Sequence, residues 1–486
     1  MEAPSGPAVT DATRLDATIA HRPLQGRRVC MFVFNDCTTD SRVLREAASL
    51  ATAGGEVTIV ARAAHGLPAE EARDGFVIRR VPAVALLRAS LDRPGLSRAP
   101  ADAPVTDRAL ARLRRLAQRG PRELGQIGAY RLDRLAYAVL RRTSFWTGLA
   151  WQLYAWYRHG RDLLPKADVY HAHDLPVLAH AVRHARRAGG LVVYDSHELY
   201  LESGRAAASM QPRTRRLAAR LEAALLRRVD GVVTVNESIA GELVRRYGVP
   251  APVVVRNCPP RWLPASPEPP VRDHFRTTAG LPIATDRPIL LYQGSFTLHR
   301  GIERIIGALD EPELSDAVAV FLGYGAMRAW LEEQARARPG RVFVVDAVSP
   351  DVLLEWTASA DVTGAPIERS TLNHYLATPN KLWESLAAGV PVVVSDFPEM
   401  ARVVRESGVG EVCDPSDTRS VALAFARILR LSPEARLELR RRCRQAALER
   451  YNWETESAAL IDLYRRLLGS EASAPAPQAP LAPEAA

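Results

Sequence analysis

The sequence predicts an α/β protein with two doubly wound domains, each built on a parallel sheet. Short apolar, largely β-branched runs alternate with helix-length segments, which is typical of strands joined by crossover helices. At residues 258–273 six prolines interrupt the alternation and indicate a domain boundary, after which the alternation resumes. At 486 residues the chain is also longer than one ordinary hydrophobic core requires.

The first domain is predicted over residues 27–265. A strand at 29–34 leads through a polar loop at 35–41 into a helix that begins at Arg42 and ends before Gly54. Further strands of this domain are expected at 57–61, 77–81, 169–171, 191–194, 231–235 and 253–255.

A helical insertion is predicted at about residues 86–165, where the strand pattern disappears. The insertion is rich in arginine and holds six neighbouring aromatic residues: Phe145, Trp146, Trp151, Tyr154, Trp156 and Tyr157. A cationic aromatic helix can lie in the interface of an anionic membrane. Aromatic packing under a helical lid or on the domain's own core is the more common arrangement, and both alternatives stay open here.

The second domain is predicted over residues 274–450. Its strands are expected at 289–292, 317–322, 342–345, 362–364 and 392–394. An amphipathic helix follows at 452–468, where Leu460, Leu463 and Leu467 recur at helical spacing. Residues 1–26 and 470–486 are predicted to be a disordered leader and a disordered tail.

Composition narrows the functional classes. The net charge is +9 and the pI is near 9.5, which suits nucleic acid, an anionic membrane face or a phosphorylated substrate. The arginines are dispersed along amphipathic helices without an aromatic-interleaved RNA-binding module, so nucleic acid is not expected as a partner. Five scattered cysteines indicate reduced thiols in a cytoplasm rather than disulfides or a zinc site. No run approaches the roughly 20 apolar residues of a membrane span.

Residues 373–395 carry the most informative motif. A polar loop at 378–381 leads into a helix that carries Lys381 and Glu384 and ends at Gly389. A helix N-terminus offers unpaired N–H groups to an anionic or polyhydroxylated ligand. Glu384 is placed to bind the two hydroxyls of a ribose, and Lys381 is placed to face a diphosphate. The alternative is an ordinary α/β helix with two solvated charges.

The turn at residues 293–301 strengthens the case for a ligand site. It joins a buried strand to a helix at 302–309, and such turns line the ligand crevice of parallel sheets. Gly294 permits close backbone approach, and Arg300 lies where the helix begins. Together with Lys381 and Glu384, this turn predicts a site for a nucleotide diphosphate.

Polar side chains also follow two strands of the first half. His171 and His173 are two residues apart and therefore on one side of a strand. His173, Asp174, His197 and Glu198 are expected to face one crevice, where they can contact substrate, form structural hydrogen bonds or bind a metal. No H-E-x-x-H or D-x-D spacing supports a metal, so none is expected. Substrate contact is favoured, because strand-end polar clusters usually serve ligands in this architecture.

Taken together, these motifs resemble the retaining, nucleotide-sugar-dependent glycosyltransferases of the GT-B fold, specifically glycosyltransferase family 4. The resemblance runs through nearly the whole ordered chain, at residues 29–50, 168–174, 194–199, 230–238, 255–257, 294–301, 323–325, 360–362, 379–391 and 451–454. It implies two Rossmann-like domains that face each other across a cleft. The acceptor side lies in the first domain and the donor nucleotide in the second, and the last helix (451–469) crosses back to the first domain.

The resemblance also implies roles for individual residues. Glu384 matches the family's glutamate that binds the donor ribose, Arg300 stands where the family has a diphosphate-binding lysine, and His173 resembles a histidine that contacts a sugar hydroxyl. The catalytic candidates are His173, Arg300 and Lys381. The donor-binding candidates are Gly294, Ser295, Arg300, Gly301, Asn380, Lys381, Leu382 and Glu384. The acceptor-side candidates are Thr38, Thr39, Asp40, Asp174, His197 and Glu198.

Two departures from the family pattern concern the donor site. The family's other glutamate is replaced by Leu376, which removes a contact to the donor sugar, and an expected arginine is replaced by Ser295. The loop at 35–41 also lacks the double glycine of some relatives. Lys381 is expected to compensate for the lost phosphate charge, and Asn373 or His374 for the lost sugar contact.

The function implied is transfer of a sugar from a UDP- or GDP-sugar to an acceptor hydroxyl with retention of configuration, without a bound cofactor. A role in surface polysaccharide or glycoconjugate synthesis is expected, with a sugar or lipid-linked acceptor. The expected location is the cytoplasm, with peripheral contact at the inner membrane face as an option. A non-catalytic nucleotide-sugar-binding protein and a nucleotide-sugar epimerase remain as alternatives.

Overall fold

The computed structural model describes residues 22–82, 145–161, 164–203, 210–262 and 265–469. Most of the predicted leader, the predicted tail and most of the predicted insertion therefore lie outside the described residues. Two sheets organise the described part of the chain, and both have parallel strands with helices on their faces.

The first sheet has eight strands in the order β3-β4-β2-β1-β5-β6-β7-β8. Its strands are β1 (Arg28–Phe32), β2 (Glu56–Arg62), β3 (Glu70–Arg73), β4 (Phe76–Val81), β5 (Val169–His173), β6 (Leu191–Ser196), β7 (Gly231–Thr234) and β8 (Val253–Val254). The central strand β1 pairs in parallel with β2 and β5, so that Val29 lies between Val57 and Val169. Buried β-branched and aliphatic side chains on both faces explain why the central strands lack polar alternation.

Strand β3 was not expected from the sequence. Its residues, Glu-Glu-Ala-Arg, have low β propensity, yet they pair antiparallel with β4 at the sheet edge. The connecting turn at Asp74 and Gly75 has positive φ at both positions, which is the conformation of a tight hairpin turn. Charged residues on an edge strand also discourage pairing with another chain.

Helices cover both faces of the first sheet: α1 (Ser41–Thr52), α2 (Phe145–Gly160), α3 (Leu175–Ala188), α4 (Pro212–Leu226) and α5 (Glu237–Tyr247). The start of α1 is fixed by Asp40, whose carboxylate accepts a hydrogen bond from the Val43 N–H. Asn236 caps α5 in the same way. These caps satisfy N–H groups that have no partner inside the helix.

The second sheet has six parallel strands in the order β11-β10-β9-β12-β13-β14. Its strands are β9 (Ile289–Ser295), β10 (Val318–Tyr324), β11 (Val342–Asp346), β12 (Val362–Ala365), β13 (Val392–Ser395) and β14 (Gly410–Cys413). The edge strand β14 was also not expected, because the run Gly-Glu-Val-Cys carries no clear periodicity.

The helices of the second half are α6 (His274–Thr277), α7 (Ile302–Ala308), α8 (Arg328–Ala337), α9 (Leu353–Ala358), α10 (Leu372–Leu376), α11 (Asn380–Ala388), α12 (Pro398–Ser407), α13 (Thr418–Leu429) and α14 (Pro433–Glu449). The final helix α15 (Trp453–Leu467) packs on the first sheet instead. Its Trp453 indole donates to Ser49 at 2.9 Å, and Leu460 and Leu463 are buried in the first core.

The strand orders place one crevice at each sheet. Strand order reverses between β1 and β5 in the first sheet and between β9 and β12 in the second. Open α/β sheets bind ligands outside the carboxyl ends of the strands at such points. Among the described residues, no helix has the length and apolarity needed to cross a membrane. All five cysteines are buried free thiols.

Candidate active site

The donor side of the site is built on helix α11. Pro379 precedes this helix and no side chain caps it, although the Leu382 N–H already donates to the Pro379 carbonyl at 3.0 Å. Leu382 itself is fully buried in the core, whereas Asn380 is exposed. The start of α11 therefore presents the Asn380 end to the crevice and anchors the Leu382 side in the second core.

Glu384 is held by a short chain of hydrogen bonds. Its carboxylate accepts from the Gln293 amide at 2.6 Å, and the Gln293 carbonyl oxygen accepts from Thr357 at 2.7 Å. Burial raises the pKa of Glu384, while Gln293, Lys381 and Arg45 oppose that shift. Because Gln293 and Thr357 are themselves buried, the carboxylate is fixed in direction before any ligand arrives.

Two cations lie beside this carboxylate. The Lys381 ammonium stands 3.4 Å from the centre of the Tyr292 ring, and Tyr292 in turn donates to the Ser295 carbonyl at 2.9 Å. Burial lowers the pKa of Lys381 well below its usual range, Arg300 lowers it further, and Glu384 opposes the shift. No ion pair joins Arg300 or Lys381 to a carboxylate among the described residues. Lys381 and Arg300, neither of them in an ion pair within the described part of the chain, provide positive potential for an anion.

Glycines shape the backbone around these cations. Gly294 has φ of 105° with open space beside it, and Gly301 has φ of 83°. A Cβ at Gly301 would lie 2.2 Å from the Pro366 carbonyl oxygen, so only glycine fits there. Ser295, the neighbour of Gly294, is exposed at the end of β9.

Helix α10 distinguishes between the two residues expected to replace the missing glutamate contact. Asn373 is engaged with the first half of the molecule, since its amide donates to Glu198 at 2.9 Å and its oxygen accepts from the Leu199 N–H at 3.1 Å. His374 interacts with Arg300 instead: burial, Arg300 and His299 together lower its pKa to about 4.

Leu376 occupies an apolar environment. Its side chain packs into the core cluster of the first sheet, and its carbonyl accepts from the buried Asn236 amide at 2.8 Å. The residue that replaces the family's glutamate therefore joins the two halves of the molecule.

The acceptor side is organised by Asp195, which is fully buried at the end of β6. Its two oxygens accept from the Arg42 guanidinium at 2.8 and 2.9 Å. The same carboxylate lies 2.9 Å from His197 Nε2 and 3.3 Å from His173 Nδ1. Burial alone would raise the pKa of Asp195, but Arg42 and His197 hold it well below its usual range.

His197 is held as a cation. Burial would lower its pKa, but the carboxylates of Asp174 and Asp195 raise it to about 10. Burial raises the pKa of Asp174 to about 6, and His197 opposes this shift. Asp174 has φ of 66° and ψ of 163°, a conformation that costs about 1–3 kcal/mol in a residue other than glycine. Such strain is found chiefly at functional sites.

The structure places His173 differently from the sequence expectation. Its side chain has no exposed surface and lies under His197, to which it is hydrogen-bonded at 3.1 Å. The cause is the parallel pairing of β5 with β6, which brings Asp195 opposite His173 and covers it. Asp174, His197 and Glu198 are partly exposed and form the accessible surface.

The remaining acceptor-side candidates lie in the loop before α1. Thr38 and Thr39 are exposed, and Thr38 donates to the Asp36 carboxylate at 2.7 Å. Asp40 caps α1 and accepts from Asn35 at 2.8 Å. Asp40 therefore has a structural role, and the two threonines present free surface.

One buried cluster could hold a metal ion. Glu46, His171, His173 and Asp195 offer ligand atoms that all lie within 4.8 Å of one another. Arg42, however, already stands 3.1 Å from Glu46 as well as 2.8 Å from Asp195. Burial raises the pKa of Glu46 well above its usual range, and Asp195 raises it further. Arg42 thus already neutralises part of the carboxylate charge of this cluster.

Several of these residues were not found from the sequence. Arg42 and Glu46 look like ordinary charges of an amphipathic helix, because their partner Asp195 is 153 residues from Arg42. Tyr292 was recognised only as the end of a strand, and Gln293 only as the start of the turn that follows. Their position at the end of β9, beside the predicted turn, was the available signal.

Comparison with known proteins agrees with this architecture. A family model described as Glycosyl transferases group 1 matches residues 275–450, and one described as Glycosyltransferase Family 4 matches residues 112–258. A glycogen synthase of Mycobacterium tuberculosis is 26% identical over 320 residues, covering 63% of this chain and 70% of that protein. A D-inositol 3-phosphate glycosyltransferase of Xylanimonas cellulosilytica is 28% identical over 250 residues, covering 48% and 56%.

Solved structures show the same fold. Sucrose-phosphate synthase from Thermosynechococcus elongatus superimposes with a TM-score of 0.65 at 18% identity, over 92% of this chain and 100% of that one. WaaG, a glycosyltransferase involved in lipopolysaccharide biosynthesis, gives a TM-score of 0.56 at 17% identity, over 89% and 99%.

Two parallel-sheet domains with this crevice define an enzyme of the GT-B fold that transfers glycosyl groups. More particularly, the chain belongs to the group 1 glycosyltransferases.

Proposed function

We propose that the enzyme transfers a sugar from a nucleoside diphosphate sugar to an acceptor hydroxyl with retention of configuration. The observation that carries this proposal is the convergence of Arg300, Lys381 and Glu384 at the end of β9. Two cations without a carboxylate partner suit a diphosphate, and a fixed carboxylate beside them suits the paired hydroxyls of a ribose. A structure of Alr3699/HepE of Anabaena, which has a similar fold, contains UDP and glucose, and this supports a nucleotide-sugar donor for the present chain.

The chemistry proposed needs no nucleophile from the protein. The departing diphosphate can take up the acceptor proton on the face that it leaves, so that the new bond forms on the same side. The main task of the protein is then to stabilise negative charge that develops on the leaving group. Arg300, Lys381 and the start of α11 supply positive potential for this purpose, and we propose that no resident cofactor or metal takes part.

The acceptor side has a complementary role. His197, held protonated by Asp174 and Asp195, can donate a hydrogen bond to a hydroxyl oxygen in the crevice. Glu198 is oriented by Asn373 and can accept one. His173, under His197, is then a positioning residue for that imidazolium. Asn373 and Leu376 join the two halves of the molecule through hydrogen bonds to Glu198 and Asn236.

Nucleotide binding provides the first test. UDP, GDP and ADP should be compared by thermal shift, since a ligand that binds only the native state raises its apparent stability. We expect UDP or GDP to raise the Tm of the native chain and to do so much less in Glu384→Ala. Equal small shifts for all three nucleotides in both proteins would contradict the proposed donor site.

A non-catalytic nucleotide-sugar-binding protein is a second candidate, favoured by Leu376 packed where relatives carry a glutamate. Incubation with a panel of UDP- and GDP-sugars separates the two, because a transferase releases nucleotide slowly even to water. An epimerase, in contrast, would interconvert donors without releasing nucleotide. We further propose a role in surface polysaccharide or glycoconjugate synthesis on the cytoplasmic side of a membrane.

A further inference from the structure

A second cavity lies outside the donor and acceptor groups described above. It has a volume of about 800 Å³ and is walled by helices α2, α3 and α4. Apolar side chains form most of its surface, among them Leu149, Leu153, Ala179, Ala218 and Leu221. Two of the nine large apolar residues exposed in the described part of the chain line this cavity: Tyr154 and Leu221. Exposed apolar patches of this kind mark binding surfaces.

The cavity is a groove that begins at the acceptor side of the crevice. Leu175, which follows Asp174 directly, and Tyr200 line its upper end. Tyr200 also interacts with the crevice carboxylates: burial, Asp174 and Glu198 together raise its pKa to about 12. From Leu175 the groove follows α3 to Arg187, a length of about 18 Å at about 1.5 Å per residue.

The far end of the groove is basic. Arg183, Arg186, Arg187 and Arg228 line it and are exposed. None of the four forms an ion pair with a carboxylate among the described residues, although Arg187 donates to the Tyr157 hydroxyl at 2.6 Å. Arginines near helix C-termini complement the helix dipole, but four of them around an apolar groove also create an anion-binding surface.

The sequence shows which occupant this charge favours. Residues 83–144, outside the described part, contain 13 arginines and only five acidic residues. This excess of eight positive charges accounts for most of the chain's net charge of +9. If this segment occupied the groove, its positive charges would lie beside the four groove arginines. An anionic amphiphile, in contrast, would be attracted by the groove arginines and by the segment.

We propose that the groove binds the hydrocarbon chain of a lipid-linked acceptor. The reactive hydroxyl of the acceptor lies at Asp174 and His197. The hydrocarbon chain of the acceptor runs along the groove and leaves it past the arginines, towards the anionic headgroups of a membrane. This assignment rests on the proposed transferase function and names the acceptor class of that same site. A lipid-linked acceptor accounts for an apolar groove that is continuous with a polar crevice, because a sugar acceptor without a lipid would occupy only the polar crevice.

Chain length is the direct test of groove occupancy. Dodecyl phosphate, below its micelle concentration, and butyl phosphate share a headgroup and differ only in chain. We expect calorimetry to show at least about tenfold tighter binding of dodecyl phosphate, since each buried methylene contributes roughly fourfold. Ala179→Trp, at an exposed position on the groove wall, should remove this difference, and Ala337→Trp on exposed α8 should keep it.

Equal binding of the two phosphates, or unchanged binding in Ala179→Trp, would overturn the proposal. The absence of binding by either phosphate would indicate that the chain's own residues fill the groove, and it would overturn the proposal as well. A nucleotide thermal shift on the same proteins tests the transferase function separately from the lipid-binding groove. If the native chain shows no shift with any nucleotide, the transferase proposal fails, whereas the chain-length result still reports on the groove.

Vesicles distinguish an acceptor lipid from the membrane itself. Phosphatidylcholine vesicles containing a polyprenyl phosphate should capture the native chain better than vesicles containing phosphatidylglycerol at equal charge. Ala179→Trp should lose that excess. Arg186→Ala with Arg228→Ala should weaken capture by both anionic vesicles, and Arg336→Ala on α8 should not. Equal capture of the native chain by both anionic vesicles would show a general membrane surface and overturn the acceptor assignment.

Discussion

The ammonium of Lys381 stands 3.4 Å from the centre of the Tyr292 ring, with Arg300 as its nearest charged neighbour of like sign. The chain contains only two lysines, Lys166 and Lys381, among 64 basic residues. A lysine at this position supplies a compact charge whose protonation can respond to its surroundings, which an arginine cannot do. The face of the Tyr292 ring stabilises the Lys381 ammonium, and the space in front of the ammonium is available to an anion.

Lysine NMR can measure this response directly. With lysine labelled with ¹³C at Cε, Lys381 should titrate well below the usual range of a lysine, because burial and Arg300 disfavour its charge. A bound diphosphate favours the protonated form, so adding UDP or GDP should move the titration to higher pH. Nucleotide affinity should then fall as pH rises through the pKa of free Lys381. Lys381→Met assigns the signal, and a Lys381 titration that nucleotide leaves unchanged would contradict the anion site.

Arg300 and Glu384 are expected to matter for transfer itself. Loss of one interaction with developing charge costs roughly 3 kcal/mol, so Arg300→Ala should lower kcat/KM about 100-fold. Glu384→Ala should cause a similar loss through weaker donor binding and orientation. Initial rates with the donor identified by nucleotide screening are the measurement, and Arg336→Ala on exposed α8 is the control. Full activity in either variant would refute the site assignment.

Asp195 is expected to be the most important single charge for stability on the acceptor side. Asp195→Asn removes the buried carboxylate that accepts two hydrogen bonds from the Arg42 guanidinium, which should cost about 3–5 kcal/mol in the free energy of unfolding. Urea denaturation measures this. Asp396→Asn breaks an ion pair of 2.8 Å with Arg405 that is half exposed, and should cost less than about 1 kcal/mol. Similar losses in the two variants would be evidence against the buried network.

His197 links stability to pH. Its folded pKa of about 10 is above the unfolded value of roughly 6.5. The contribution of His197 to the free energy of unfolding should therefore be fully present below pH 6.5 and be lost as pH rises through 10. Asp174→Asn removes one of the two carboxylates that raise this pKa, so the imidazole should titrate at lower pH in NMR spectra. An identical His197 titration in the variant and the native chain would exclude the pairing with Asp174.

Leu376 tests the departure from the family pattern. Leu376→Glu restores the relatives' residue type, but it buries a carboxylate in the apolar contact with the first sheet. The Tm should fall and donor affinity should not improve, because an unpaired buried charge is costly. Leu298→Glu, at an exposed apolar position, should leave the Tm nearly unchanged. A gain in donor affinity would mean that the contact between the halves opens readily.

The residues proposed for the donor side are easier to group from the sequence than those of the acceptor side, for physical reasons. Arg300, Lys381 and Glu384 lie on two short segments, and the rule that parallel strand ends share one edge brings those segments together. The interaction of Lys381 with Tyr292 depends on side-chain direction and could not be predicted from spacing. The edge strands β3 and β14 were missed because their composition carries little β propensity.

On the acceptor side, the decisive contacts join residues far apart in sequence. Arg42 meets Asp195 across 153 positions, and no local pattern marks a charge that will be buried. The same network explains why His173 is covered although its spacing alone predicts exposure at a strand end. Long-range pairing decides burial there, and local periodicity does not report it.

Helix α15 has a consequence for how the molecule is made. The hydroxyl of Tyr464 lies 2.9 Å from His171 Nδ1, so residues from the end of the chain complete the interior formed by its beginning. During synthesis the opening half must leave the ribosome with part of its apolar interior still uncovered. The first half stays in this state until the whole second half has been synthesised and Trp453 and Leu460 can pack on it. Maturation of the first half is thus tied to a helix that follows the whole second sheet in sequence.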